Sequence, residues 1–131
     1  ASPSSVNAAL HVLKDVKGRE GRGIAVLGNM LELGHIAYTA HENLGKAVIE
    51  CSVDILITVG DLACLAGQEA VRLGKNPDTV FMFCEKSQAI DTLRSLVRPG
   101  DVILIKGSRS MEMEEISKAL LENTGGEPHA S

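Results

Sequence analysis

At 131 residues the chain has room for one domain and little more, and with 44% hydrophobic residues but only 2% aromatics its core must be aliphatic. The net charge of −4, with Tyr38, Phe81 and Phe83 as the sole aromatics, argues against a nucleic-acid partner, because such partners are gripped by clustered Lys and Arg and by base stacking. No apolar run approaches the length that crosses a bilayer, so no membrane partner is expected, and Ala1-Ser2-Pro3-Ser4-Ser5 lacks the basic start and apolar stretch of a signal peptide.

The first residue is not Met, so the chain reads as a piece of something longer or a processed product. Cys51, Cys64 and Cys84 are odd in number and widely spaced, which suits neither disulfides nor zinc. Each lies in or beside an apolar segment and reads as a buried thiol.

Ser2-Pro3 is an N-cap followed by Pro at the first helical position, and Val6, Ala9, Leu10 and Leu13 recur at helical spacing up to Gly18. A charged, Gly-rich turn, Lys17–Gly23, leads into the apolar run Ile24–Leu27, a strand covered on both faces. A loop from Asn29 to about Tyr38 follows. Thr39 and Glu42 form a capping box for a helix carrying Leu44, Ala47, Val48 and Cys51.

Asp54–Val59 is the next strand, and Asp61 caps a helix with Leu62, Leu65, Ala66 and Leu73. Thr79–Phe83 is a third strand. Ile90, Leu93, Leu96 and Val97 mark a helix stopped by Pro99-Gly100. Asp101–Ile105 is the last strand, and Ser110 caps a final helix with Met113, Ile116, Ala119 and Leu120. Residues 1–122 are thus one domain, and 123–131 a polar, Gly-rich flexible tail.

Alternating strand and helix predict an α/β, Rossmann-like three-layer domain with a mostly parallel sheet and helices on both faces. Right-handed crossovers most simply give the strand order 3-2-1-4. The chain leaves strands 1 and 4 in opposite directions, so a crevice opens at their carboxyl ends, where ligands bind in such sheets.

Two loops meet there, Gly28–Gly34 and Lys106–Ser110. In the second, Lys106 and Arg109 are cations ahead of a helix start, Gly107 admits close backbone approach, and Arg109 suits a two-point grip on a carboxylate or phosphate. The alternative is pairing of both cations with Glu112, Glu114 or Glu115. In the first, Glu32 suits an ammonium group, Asn29 is a polar contact, and Met30, Leu31 and Leu33 offer an apolar wall. The alternative there is Leu31 and Leu33 in the core with Glu32 solvated. His41 either faces the crevice or serves as a structural hydrogen-bonder. Arg19–Arg22 reads as a solvated turn, with a phosphate contact as its alternative.

No phosphate-cradling G-x-x-x-x-G-K-[ST] motif is present. The first strand's end does not match G-x-G-x-x-G, and no Cys/His cluster has metal-ligand spacing.

The segments Val26-Leu-Gly-Asn-Met-Leu-Glu-Leu-Gly34, His41 and Ile105-Lys-Gly-Ser-Arg-Ser-Met-Glu-Met-Glu114 resemble the Mur ligase family. They are most similar to the MurF-type branch, which joins D-alanyl-D-alanine to UDP-N-acetylmuramoyl-tripeptide. Ala1-Ser2-Pro3 resembles the end of a motif that opens the family's C-terminal domain.

The resemblance runs to about Leu121. It implies ATP-dependent amide ligation in peptidoglycan synthesis in the bacterial cytoplasm, with ATP and Mg2+ used by the full-length enzyme and N-terminal and central domains as partners. By the same resemblance, Asn29, Met30, Glu32, Leu33, His41, Lys106, Gly107, Ser108 and Arg109 are the candidate substrate-binding residues. Arg109, helped by Lys106 and Ser108, would meet the dipeptide carboxylate or the acyl phosphate. Ala1, Ser2 and Pro3 are a remnant of a nucleotide contact.

The family usually shows Asp where Asn29 stands, and the acidic head of the opening motif would lie before Ala1. This stretch alone is therefore expected to be inactive, with neither catalytic residue nor bound cofactor. The competing readings are a stand-alone Rossmann-type small-ligand or nucleotide-binding module and a non-catalytic interaction domain.

Overall fold

The computed structural model describes residues 2–31 and 33–125, the last three by their backbone only. In chain order the elements are α1 (Pro3–Lys17), β1 (Gly23–Gly28), α2 (Ala37–Glu50), β2 (Ile55–Val59), α3 (Cys64–Arg72), β3 (Val80–Phe83), α4 (Lys86–Leu96), β4 (Val102–Lys106) and α5 (Glu114–Gly125). Short 3-10 turns at Gly34–Ile36, Pro77–Thr79 and Arg109–Met111 precede α2, β3 and α5. The strands form one parallel sheet in the order β3-β2-β1-β4, the arrangement the crossover rule predicts.

β1 and β2, the two inner strands, are buried along their whole length, as their unbroken apolar runs require. Their side chains alternate between two cores. Ala25, Leu27 and Leu56 pack with Val6, Leu10 and Leu13 of α1, Leu44 and Val48 of α2, and Ala66 and Ala70 of α3. Ile24, Val26, Ile57 and Val59 pack with Ala89 and Leu93 of α4 and with Met113 and Ile116 of α5. Three helices therefore cover one face of the sheet and two cover the other. Each fully buried aliphatic side chain contributes about 1.5–3 kcal/mol.

Ser2 caps α1, accepting a hydrogen bond from the Ser5 N–H, with Pro3 in the first turn. Three other caps differ from expectation. α2 starts two residues before Thr39 and is fed by the 3-10 turn, so the Thr39/Glu42 box does not form and the Ala37 N–H bonds to Gly34 O instead. α3 starts at Cys64, not after Asp61, because the turn at residues 61–63 is held by a side chain from another loop, Asn29. Ser110 lies inside the 3-10 turn, and α5 begins only at Glu114, after Glu112 in a left-handed conformation (φ 51°). α5 also runs past Asn123, the expected start of the tail, to Gly125; the rest of that tail lies outside the described residues.

Of the cysteines only Cys51 is buried; Cys64 is half-buried and Cys84 is exposed, just past the end of the edge strand β3. At the amino edge of the sheet Arg22 grips Asp101 through Nε (3.0 Å) and Nη2 (2.7 Å) and donates to Leu96 O. That grip holds the Asp101 carboxyl below its usual range, against the opposing effect of desolvation. Arg22 thus fastens β1 to the approach to β4 at the edge opposite the two loops, so its role there is structural. Among the described residues no helix is long and apolar enough to cross a membrane.

Candidate functional site at the carboxyl ends of β1 and β4

The register places Leu27 of β1 beside Lys106 of β4, so Gly28 and Gly107 come next to each other. A Cβ on Gly107 would lie 2.7 Å from Met113 Cγ and 3.2 Å from Gly28 Cα; one on Gly28 would lie 2.7 Å from Met113 Sδ. Only glycines let the two strand ends close over Met113 at this distance. From this point the loops are tied directly to each other. The Ser108 N–H donates to Asn29 O at 2.9 Å, and the Leu31 N–H donates to Ser108 Oγ.

Behind that seam the first loop is anchored to α2. His41, 1% exposed, accepts the Met30 N–H at Nε2 (3.0 Å) and bonds Ala37 O through Nδ1 (2.7 Å). The two bonds require a neutral ring with its proton on Nδ1. Asn29 is also buried. Its Oδ1 accepts from Leu62 N (3.0 Å) and Ala63 N (2.7 Å), and its Nδ2 donates to Asp61 Oδ1 (2.9 Å). The hydrogen bonds from Asn29 and from the Leu62 N–H hold the Asp61 carboxyl below its usual range. The backbone of residues 29–31 is therefore pinned at three successive positions, by Ser108, His41 and Ser108 again, while the Asn29 side chain carries the link to the loop after β2.

The predicted residues separate into two groups. Lys106, Gly107, Ser108 and Arg109 line an open cleft of about 230 Å3, closed on its other side by Met113, Glu114 and Ser117. Asn29, Met30 and His41 lie behind the loop as its supports, and Leu33 packs half-buried on the core beneath α1 and α2. Ser2 and Pro3 lie at the start of α1, where the Ser2 hydroxyl serves as a cap. Ala1 and Glu32 lie outside the described residues.

Lys106 and Arg109 make no ion pair or side-chain hydrogen bond among the described residues. Glu115, a proposed competitor for them, instead takes Lys86 at 2.6 Å. The α5 N-terminus does not lie directly behind the cations, because the 3-10 turn intervenes and Glu114 and Glu115 occupy the first helical turn. The cleft therefore draws its positive charge from the two side chains rather than from the helix end. A wider groove of about 540 Å3 between α1 and α2 contains no Lys or Arg in its lining. Of these two, the strand-end cleft serves an anionic group better. Among the described residues no group of three or more His, Cys, Asp or Glu side chains is arranged to hold a metal ion.

Sequence reading took Asp61 only as a helix cap and missed its place beside this site. The available signal was the pairing of Gly28-Asn29 after β1 with Gly60-Asp61 after β2, which the parallel register brings side by side.

Comparison with known proteins agrees with this fold. The family described as Mur ligase, glutamate ligase domain, matches residues 1–109. The UDP-N-acetylmuramoyl-tripeptide–D-alanyl-D-alanine ligase of Bacillus subtilis (strain 168) is 34% identical over 123 residues, covering 94% of this chain and 26% of the relative. A crystal structure of MurF from Acinetobacter baumannii superposes with a TM-score of 0.78 at 29% identity, covering 93% of this chain and 26% of that one. The MurF ligase from Thermotoga maritima, solved in complex with ADP, shares the fold with a TM-score of 0.73 at 24% identity, over 95% of this chain and 27% of its own. The chain thus spans about a quarter of the length of the relatives it matches. With the loop constellation and the match in agreement, the chain belongs to the Mur ligase family, as its glutamate ligase domain.

Proposed function

We propose that this chain is the C-terminal, substrate-closing domain of an ATP-dependent ligase that joins D-alanyl-D-alanine to UDP-N-acetylmuramoyl-tripeptide, and that it is inactive without the other domains. The observation that carries the reading is the pair of cations, Lys106 and Arg109, unpaired among the described residues and held at the strand-end cleft by a loop whose serine is bonded to the facing loop. Two cations without partners among the described residues, in a preformed cleft, favour an anion, and the planar guanidinium of Arg109 matches a carboxylate in a two-point contact.

In this reading the muramoyl carboxylate is activated by phosphorylation on the parts of the ligase outside this chain. The phosphate-cradling loop and the magnesium ligands would be supplied by the central domain, and this chain would close over the nucleotide and the incoming dipeptide. Lys106 and Arg109 take the carboxylate of the incoming dipeptide. Gly107 lets the strand ends close over Met113, and Ser108 keeps the cationic loop in register with residues 29–31. Rigid support of this kind is what orientation of a nucleophile requires, because small misplacements are costly in rate.

In the complete ligase, Arg109→Ala should raise KM for D-alanyl-D-alanine by about tenfold or more with a much smaller change in the KM for ATP, the size expected for loss of a charge-assisted contact. Steady-state kinetics with each substrate varied in turn reads this. An unchanged dipeptide KM would remove the carboxylate assignment.

A further inference from the structure

We infer that Asp61, across β1 from the cationic cleft, is the second pole of the strand-end site and takes the ammonium group of the ligand, so that the site selects a short zwitterion; the inference rests on the reading that Lys106 and Arg109 hold the ligand's carboxylate. Asp61 sits just past the end of β2, on the other side of β1 from the cationic loop. A continuous set of bonds runs between the two poles: Asp61 Oδ1 accepts from Asn29 Nδ2 at 2.9 Å, and Asn29 O accepts from Ser108 N at 2.9 Å. Oδ1 also accepts the Leu62 N–H at 3.0 Å. Oδ2 has no partner among the described residues. The carboxylate is thus fixed in orientation by one oxygen and presents the other.

The spacing suits a dipeptide. The ends of β2 and β4 are two strand separations apart, about 10 Å. Two residues fully extended span at most about 7 Å, and a charge-assisted contact of about 2.8 Å at each end brings the reach to about 13 Å, enough to bridge those strand ends. Sequence reading offered Glu32 either for the ammonium or as a support of the cationic loop. Asp61 is the carboxylate that the described residues tie to the cationic loop.

The test uses the complete ligase and a pair of ligands that differ only in the amine: D-alanyl-D-alanine as substrate and N-propionyl-D-alanine, its amine-free counterpart, as competitive inhibitor. Asp61→Asn keeps an oxygen able to accept from Asn29 and Leu62, so the loop scaffold is preserved. It should raise KM for the dipeptide by about tenfold and leave the inhibition constant of N-propionyl-D-alanine unchanged. An unchanged KM, or an equal rise in both constants, overturns the assignment, the latter because it marks a scaffold defect rather than a lost ammonium contact. Glu32→Gln producing the amine-selective loss in place of Asp61→Asn also overturns it. Arg109→Ala separates the two levels of failure. If it raises both constants while Asp61→Asn raises neither, Asp61 alone falls; if it too raises neither, the reading of the whole cleft falls.

Discussion

Gly60→Ala should cost the 131-residue chain about 3 kcal/mol or more of unfolding free energy, while Gly74→Ala should cost only about 1–2 kcal/mol. The two glycines have nearly the same backbone conformation, φ +114° and +112°, a region that L side chains rarely adopt. Backbone strain is therefore common to both. The surroundings differ. At Gly74 a Cβ meets nothing within 4 Å. At Gly60 it would lie 2.6 Å from Asn29 Cγ and 2.7 Å from Asn29 Nδ2.

Asn29 is not free to move aside, because its carboxamide makes three bonds to residues 61–63 and its carbonyl receives Ser108. Displacing it unties the loop after β1 from the loops after β2 and β4 together. The difference between the two variants in urea unfolding isolates that contribution. Equal losses at the two positions would mean that the Asn29 junction contributes nothing beyond backbone strain.

Asn29→Asp should lower the unfolding midpoint by roughly 5 °C at neutral pH, and a second change, Asp61→Asn, should restore most of it. The substitution is almost isosteric and keeps the oxygen that accepts from Leu62 and Ala63. What it removes is the Nδ2 donor, so two carboxylates face each other across the present 2.9 Å contact. One must either repel the other or keep its proton, which raises its folded-state pKa. A carboxyl with a raised folded pKa is destabilising above its unfolded value, about 4, and costs nothing below it. The defect of Asn29→Asp should therefore fade as pH falls toward 4, unlike a packing defect. Thermal melts across that range read both the rescue and the pH dependence. A single variant as stable as the parent at pH 7 would show that the Asn29–Asp61 contact is dispensable.

Much of the fold was legible because its causes are local or topological. The unbroken apolar runs of β1 and β2 announced strands buried on both faces, and the handedness of crossovers then left one simple strand order, β3-β2-β1-β4. That order alone placed the Gly28 and Lys106 loops side by side. Ser2-Pro3 marked the start of α1 because a cap and a first-turn Pro need only neighbours in sequence.

The features that escaped are long-range. Thr39, Asp61 and Ser110 carry cap chemistry, yet α2, α3 and α5 begin elsewhere because 3-10 turns and the Asn29 side chain supply the bonds. Nothing local tells Asn29 that its partners are 32 to 34 positions away; only the register of β1 on β2 does. His41 had two open readings. Its burial between Met30 N and Ala37 O makes it a support of the loop, and the cleft is left to Lys106, Gly107, Ser108 and Arg109.

The account turns on where the ligand's negative end lies, and a crystal structure of the complete ligase with D-alanyl-D-alanine bound reads that position directly. The dipeptide carboxylate should lie at the ends of β1 and β4 within about 2.7–2.9 Å of the Arg109 guanidinium or Lys106 Nζ, the range of charge-assisted hydrogen bonds. A dipeptide seated instead in the groove between α1 and α2, with Lys106 and Arg109 paired to protein carboxylates, would contradict it.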